Sequence, residues 1–99
     1  MNYSIESQKA DEFFRKCQSI LTSKANDYAC EDDVFSNFKT AALICKVPVD
    51  KIFLMALTIK IVRVSELLEK TNKNESLEDS LMDLANYACL MALYRKDSQ

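Results

Sequence analysis

The sequence contains no glycine and a single proline among its 99 residues. Glycine supplies the positive backbone φ angles of tight hairpin turns, so a chain without it is poorly suited to β-hairpins and well suited to helices. Because 48% of the residues are hydrophobic, the chain can fill one small core. The sequence therefore predicts a single helical domain over residues 1–99.

Apolar spacing and capping signals divide the chain into four helical segments. We expect them over residues 4–24, 34–46, 48–70 and 74–95. Asp32 or Asp33 is a suitable cap for the second segment, Pro48 suits a first helical position, and Asn74 or Ser76 suits the start of the fourth. The link between the last two segments is short enough to make them neighbours. The predicted fold is all-α, a four-helix bundle with a central antiparallel hairpin of helices three and four.

Several classes of protein are excluded by composition. The four cysteines are far apart and histidine is absent, which argues against a zinc site; we expect Cys17, Cys45 and Cys89 to pack as small hydrophobic residues. A net charge of −2 provides no broad basic field for nucleic-acid backbone or membrane. No window has the apolar length of a membrane span and the N-terminus lacks a signal-peptide core, so we expect a cytoplasmic protein.

The third helix carries a lysine inside its apolar face. On a helical wheel, Lys60 projects from the middle of this face and Arg63 lies at its edge. A buried ammonium either finds an anion or loses its proton, so Lys60 is expected to contact a carboxylate or a ligand phosphate. The face itself consists of Phe53, Ala56, Leu57, Ile61, Val64, Leu67 and Leu68, whereas the solvated side carries Lys51, Thr58, Ser65, Glu66 and Glu69.

The fourth helix carries a polar stripe of Asp79, Asp83 and Asn86 that continues into Leu90 and Leu93. A stripe that turns apolar on the same face is expected to lie against protein, where two carboxylates one turn apart need a cation. Lys60 with Arg63 is one source, and a bound Mg²⁺ is the other. In the second case Asp79, Asp83 and Glu75 are the candidate metal ligands. A purely structural ion-pair network is the alternative to either kind of site.

Four sequence motifs resemble a known family. They are K-x-x-D-Y at residues 24–28, D-D-V-F-S-N-F-K at 32–39, K-x-x-R at 60–63 and N-E-S-x-x-D-S-L-x-D-L-x-N-Y-A at 74–88. Over about residues 24–94 they look like the phage and bacterial proteins called nucleotide modification associated domain 1. The resemblance implies a small helical protein of nucleotide metabolism or DNA base modification, in the host cytoplasm if phage-encoded. Candidate ligand-binding residues on these motifs are Lys24, Asp27, Tyr28, Asn37, Lys60, Arg63, Asn86 and Tyr87.

A more distant similarity is to the all-α nucleoside triphosphate pyrophosphohydrolases of the MazG and dimeric dUTPase type. These enzymes hold Mg²⁺ between acidic motifs on facing helices. Aligning Asp83 with the last residue of their E-E-x-x-D motif places Asp79 at the first position but Ser80 at the second. Their other motif, E-E-x-x-E, has no counterpart. The resemblance therefore leaves catalysis open and assigns no catalytic residue, although a carboxylate would have to act as any general base.

Three functional hypotheses follow. The first is a nucleotide-binding protein that holds an anionic nucleotide in a mixed-charge pocket, with or without Mg²⁺. The second is a non-enzymatic interaction module, such as a phage protein that binds a host factor or sequesters a nucleotide signal. The third is a Mg²⁺-dependent nucleoside triphosphate pyrophosphohydrolase. Under all three we expect a homo-oligomer, because residues 84–94 are apolar nearly all round; the alternative is a central helix covered by the other three.

Overall fold

The computed structural model describes residues 2–28, 35–70 and 74–97, with the side chains of residues 24–28 and 74–76 excepted. These residues form four helices, α1 (Tyr3–Tyr28), α2 (Ser36–Cys45), α3 (Val49–Leu68) and α4 (Asn74–Asp97). The described ranges contain no strand. The prediction of an all-α fold with four helices is confirmed.

The central hairpin of α3 and α4 is antiparallel, as predicted. Asp50 pairs with Arg95 and Lys60 pairs with Asp83, so residue numbers rise along α3 as they fall along α4. This pair of helices makes the most extensive packing in the molecule, while α2 packs on α3 and α1 packs on α4. The helices therefore follow the spatial order α2, α3, α4, α1.

The bundle is open at its two outer helices. Within the described ranges, the backbone of α1 does not approach that of α2 or α3. The radius of gyration is 15.4 Å, larger than the roughly 13 Å expected for a compact domain of about 100 residues. The buried apolar side chains in these ranges are correspondingly few: Cys17, Ala42, Phe53, Leu67 and Met82.

An aromatic cluster ties α2 to the hairpin. Phe53 on α3 is fully buried, and the ring of Phe38 stacks on it with centroids 4.3 Å apart. Phe35 meets the edges of both Phe53 and Tyr94, and Phe38 meets Tyr87 at a centroid distance of 6.2 Å. Offset and edge-to-face pairs of this kind add about 0.5–1.5 kcal/mol each beyond the burial of their area. The cluster is the densest part of the core.

The first helix is longer than its apolar pattern predicts. The Asn2 side chain caps its start by accepting from the N–H groups of Ser4 and Ile5, at 2.9 and 3.5 Å. At the other end, no glycine or proline interrupts residues 25–28, so α1 continues to Tyr28. The predicted cap at Asp32 or Asp33 lies outside the described residues.

The start of α3 and the end of α4 are joined by an ion pair. Pro48 is the residue before the helix rather than its first residue, because its ψ of 152° is extended, and this corrects the predicted position. Asp50 lies in the first turn of α3 and pairs with Arg95 in the last turn of α4. Each charge has the sign that its helix terminus favours, which stabilises both ends in addition to joining them.

The second helix ends at a lysine in left-handed geometry. Lys46 has φ 58° and ψ 45°. Its N–H donates to the carbonyl of Leu43, and the next N–H, of Val47, donates to that of Ala42. This is a Schellman motif, a helix ending that usually uses glycine at the left-handed residue. In a chain without glycine, a side chain with a Cβ occupies the position at a cost in conformational energy.

Several residues expected in the core are exposed. Cys45 and Cys89 lie on the surface, so only Cys17 of the three expected cysteines is buried. Phe14, Ile61, Leu68 and Leu93 are likewise exposed. The apolar spacing identified the helices correctly but overestimated how much of each helix its neighbours cover.

Replacing Phe53 by alanine should lower the free energy of unfolding by about 3–5 kcal/mol, because the fully buried ring would leave a cavity among its three aromatic neighbours. Leu43→Ala is the control, since that side chain is 79% exposed on α2 and should change stability by less than about 0.5 kcal/mol. Urea unfolding followed by circular dichroism measures both. Equal losses for the two variants would contradict the proposed position of the core.

Replacing Lys46 by glycine should stabilise the chain by roughly 0.5 kcal/mol. Removing the Cβ relieves about 1–2 kcal/mol of left-handed strain, which the freedom of glycine in the unfolded state offsets by about 0.4–1 kcal/mol. The matched variant Lys46→Ala keeps the Cβ and should show no gain. Unfolding midpoints in urea test the difference, and an alanine variant as stable as the glycine variant would argue against strain at this residue.

Candidate functional site

The predicted partner of Lys60 lies across the hairpin. Lys60 Nζ is 2.9 Å from a carboxylate oxygen of Asp83, which confirms that this lysine meets a carboxylate of α4. The two side chains are 27% and 21% exposed, so the pair lies at the edge of the helix interface and still reaches solvent.

Helix α1 reaches the same place from the other side of α4. The amide Nδ2 of Asn86 donates to the backbone carbonyl of Cys17 at 2.9 Å. Burial raises the pKa of the Cys17 thiol; a backbone hydrogen bond opposes this shift, and the negative charge of Asp83 adds to it. Asp83 is thus close enough to α1 to disfavour a second negative charge there. We call Cys17, Lys60, Asp83 and Asn86 the charged junction.

The charged junction lies on α4 between α1 and α3. Asp83 and Asn86 are three residues apart and therefore lie on adjacent sides of α4, one contacting α3 and the other contacting α1. The backbones of α1 and α3 do not approach each other in the described ranges, so α4 is the helix that joins them here. Asp83 and Asn86 of the predicted polar stripe thus both contact protein.

The outer members of the predicted charge set are exposed. Arg63 and Asp79 lie one turn from Lys60 and Asp83, towards the connection between the two helices. The expectation that Asp79 lies against protein is wrong, because its side chain is exposed near the start of α4. The two side chains extend the mixed-charge surface without being buried in it.

The remaining predicted ligand residues fall into two groups. Tyr87 packs its ring against Phe38 in the aromatic cluster, and Asn37 is exposed in the first turn of α2. Because α2 packs on α3 and α1 packs on α4, Asn37 and the charged junction are on different sides of the hairpin. The side chains of Lys24, Asp27, Tyr28 and Glu75 lie outside the described residues, although their backbones belong to α1 and α4.

The predicted metal ligands do not form a complete set in the described part of the chain. No group of three carboxylate, cysteine or histidine side chains there is arranged to hold a metal ion. Asp83 neighbours the ammonium of Lys60, which already supplies positive charge.

Sequence reasoning missed two features of this region. The first is the hydrogen bond from Asn86 to the Cys17 carbonyl. Its acceptor is a backbone atom, and a pattern of side chains does not predict such a bond. A surface depression of about 520 Å³ runs along Arg15, Gln18, Ser19, Thr22 and Ser23, on the side of α1 away from Cys17. All these residues belong to one helix, so the depression lies on the surface of α1 and is separate from the charged junction.

Comparison of the chain with protein-family models, with curated proteins and with solved structures finds no match. The resemblance to nucleotide modification associated domain 1 proteins therefore stays a prediction based on the motifs. Among the described residues, none of the helices combines the length and apolarity needed to cross a bilayer.

Cys17 should be alkylated much more slowly than Cys45 and Cys89 by iodoacetamide at pH 8. Its thiol is buried and its pKa is raised, whereas the reactive species is an accessible thiolate. If reaction requires a local opening of about 3 kcal/mol, the rate falls roughly a hundredfold. Mass spectrometry of timed samples resolves the sites.

A pair of variants tests the connection of α1 to the junction. Asn86→Ala removes the bond to the Cys17 carbonyl and should accelerate alkylation of Cys17. Lys16→Ala breaks an exposed ion pair between the same two helices, with Glu78, and should leave the rate unchanged. Alkylation of Cys17 as fast as that of Cys45 in the native chain would contradict its burial.

Proposed function

We propose that this protein binds a nucleotide through its phosphates at the charged junction. The observation that supports this proposal is the ion pair of Lys60 with Asp83, which is enclosed enough to fix the ammonium and exposed enough for a ligand to reach it. Lysine donates three hydrogen bonds, and Asp83 uses part of that capacity. The remaining N–H donors of Lys60 are suited to binding an anion.

The neighbouring charges fit a phosphate chain. Arg63 is exposed one turn from Lys60 and can extend a planar, two-pronged donor to phosphate oxygens. Asp83 and Asp79 oppose a bare phosphate by like charge, but they favour a phosphate that carries hydrated Mg²⁺. In this proposal Asp79 and Asp83 would hold a hydrated Mg²⁺, which would offset the negative charge of the phosphates.

The sequence motifs suggest the biological setting. The resemblance implies nucleotide metabolism or DNA base modification in a phage or bacterium, and it adds Lys24, Asp27 and Tyr28 at the end of α1 to the proposed site. By residue spacing, Lys24 and Tyr28 continue the sequence pattern of Cys17 and Leu21. We propose that these residues contribute to nucleotide binding.

Binding is favoured over hydrolysis by the residue types at the charged junction. A pyrophosphohydrolase of the MazG type needs acidic motifs on both facing helices, and here Lys60 faces Asp83. The interaction-module hypothesis has its own support, since α3 exposes several large apolar side chains on its other side. Under this hypothesis the charged junction is a structural ion-pair network and binds no ligand.

Thermal melting against nucleoside mono-, di- and triphosphates, each with and without Mg²⁺, tests the proposal. A nucleotide present at a hundred times its Kd should add about 2.7 kcal/mol of stability. Lys60→Met keeps the apolar stem but removes the ammonium, and should abolish the shift. Lys96→Met, on the exposed last turn of α4, is the matched control and should retain it.

The same samples distinguish the alternatives. Chromatography of the nucleotides after incubation detects hydrolysis, and release of pyrophosphate that disappears with Asp83→Asn would favour the pyrophosphohydrolase. A nucleotide-dependent shift that Lys60→Met leaves intact would move the ligand away from the junction. If no nucleotide shifts the melting temperature under either condition, the interaction module is the better explanation.

A further inference from the structure

The side of α3 that faces away from the hairpin exposes four large apolar side chains between polar residues at its two ends. Leu54, Met55, Ile59 and Val62 are between 49% and 63% exposed. Their spacing places them on one side of the helix over about two turns, roughly opposite Lys60. We call these four residues the outer face of α3. Single exposed apolar residues are ordinary, but a contiguous group on one helix marks an interaction surface.

The polar residue inside this face is already satisfied. Thr58 lies among the four residues, and its hydroxyl donates to the carbonyl of Leu54 at 2.8 Å. Covering the face would therefore leave the Thr58 hydroxyl with its hydrogen-bond partner. An unsatisfied donor is the main cost of burying a hydroxyl, and that cost does not arise here. The face can be covered by apolar surface at little expense in hydrogen bonds.

The charges at the two ends of the face have opposite signs. Lys51 lies one turn before Met55, and Glu66 lies one turn after Val62; both are exposed. If two such helices lie antiparallel about a twofold axis between Thr58 and Ile59, Lys51 of each copy meets Glu66 of the other and Met55 meets Val62. A parallel arrangement would instead oppose like charges. The face is thus complementary to itself in one orientation.

We propose that this protein forms a dimer in which the outer face of α3 packs antiparallel against the same face of a second copy. Two ion pairs, each between Lys51 of one copy and Glu66 of the other, flank an apolar centre. Sequence alone predicted a shared surface on α4, whereas the larger exposed apolar surface lies on α3.

The dimensions of α3 suit such an interface. From Lys51 to Glu66 the proposed contact extends for roughly 22 Å along α3, and a stable interface buries roughly 800 Å² per partner. Ile61, which is also exposed, borders the outer face and widens the contact beyond the four central residues. Burial of this surface compensates for the open packing of the single chain, whose described core contains few buried side chains.

The dimer and the nucleotide site are independent. Lys60 and the outer face lie on opposite sides of α3, so the second copy leaves the charged junction accessible. Loss of the dimer should therefore leave any nucleotide-induced melting shift in place. Conversely, Lys60→Met should leave the dimer intact, which keeps the failure of one proposal distinct from the failure of the other.

Sedimentation velocity over a dilution series tests the dimer. The native chain should sediment as a dimer at about 100 µM, well above a micromolar Kd. Ile59→Lys places a charge at the centre of the face and should give a monomer with unchanged circular dichroism, because the side chain is exposed in the single chain. Leu43→Lys changes an exposed leucine on α2 and is the control that should remain a dimer.

A charge exchange identifies the partner as a second copy in antiparallel orientation. Lys51→Glu alone and Glu66→Lys alone each create two like-charged contacts, so the Kd of each variant should rise at least about tenfold. Mixing the two variants restores both opposite-charge contacts, and a heterodimer should form with near-native affinity. The double variant Lys51→Glu with Glu66→Lys should dimerise by itself.

Three results would overturn the proposal. The first is a native chain that stays monomeric at about 100 µM, which would assign the face to a different protein. The second is a dimer that Ile59→Lys does not weaken. The third is a mixture of the two charge variants that fails to associate while the native chain does.

Discussion

The packing of α3 against α4 is the interaction on which the rest of the structure depends. Helix α2 is attached through α3, and α1 is attached through α4, so neither outer helix has a position without the hairpin. Phe53 is the fixed point of this packing, because it is fully buried and contacts rings from both α2 and α4. The burial of a few aromatic rings thus positions four helices that otherwise share little core.

Ion pairs fix the register of α3 against α4, and the aromatic rings stabilise the packing of these two helices. Two ion pairs cross the hairpin, Asp50 with Arg95 at one end and Lys60 with Asp83 near the middle. Sliding one helix by a turn would separate both pairs, although in one direction Asp79 would take the place of Asp83 beside Lys60. The two pairs together therefore favour the observed register.

The two sides of α3 have different chemistry and, in our proposals, different uses. One side presents Lys60 to the charged junction, and that junction suits a phosphate-bearing ligand. The opposite side presents an apolar face with complementary charges at its ends, which suits a second copy. Both proposals follow from the same fact, that a small open bundle leaves two sides of a central helix in contact with solvent.

Local interactions determined what the sequence could predict. Helix positions, the α3 and α4 hairpin and the meeting of Lys60 with Asp83 follow from residue spacing and a short connection, and all three agree with the structure. Exposure could not be predicted in this way. Cys45, Cys89 and Asp79 fit buried patterns yet lie on the surface, because burial depends on which neighbour covers each side of a helix. Only the tertiary structure decided that α1 stays apart from α3 in the described ranges, so that α1 and α3 reach the charged junction from different sides of α4.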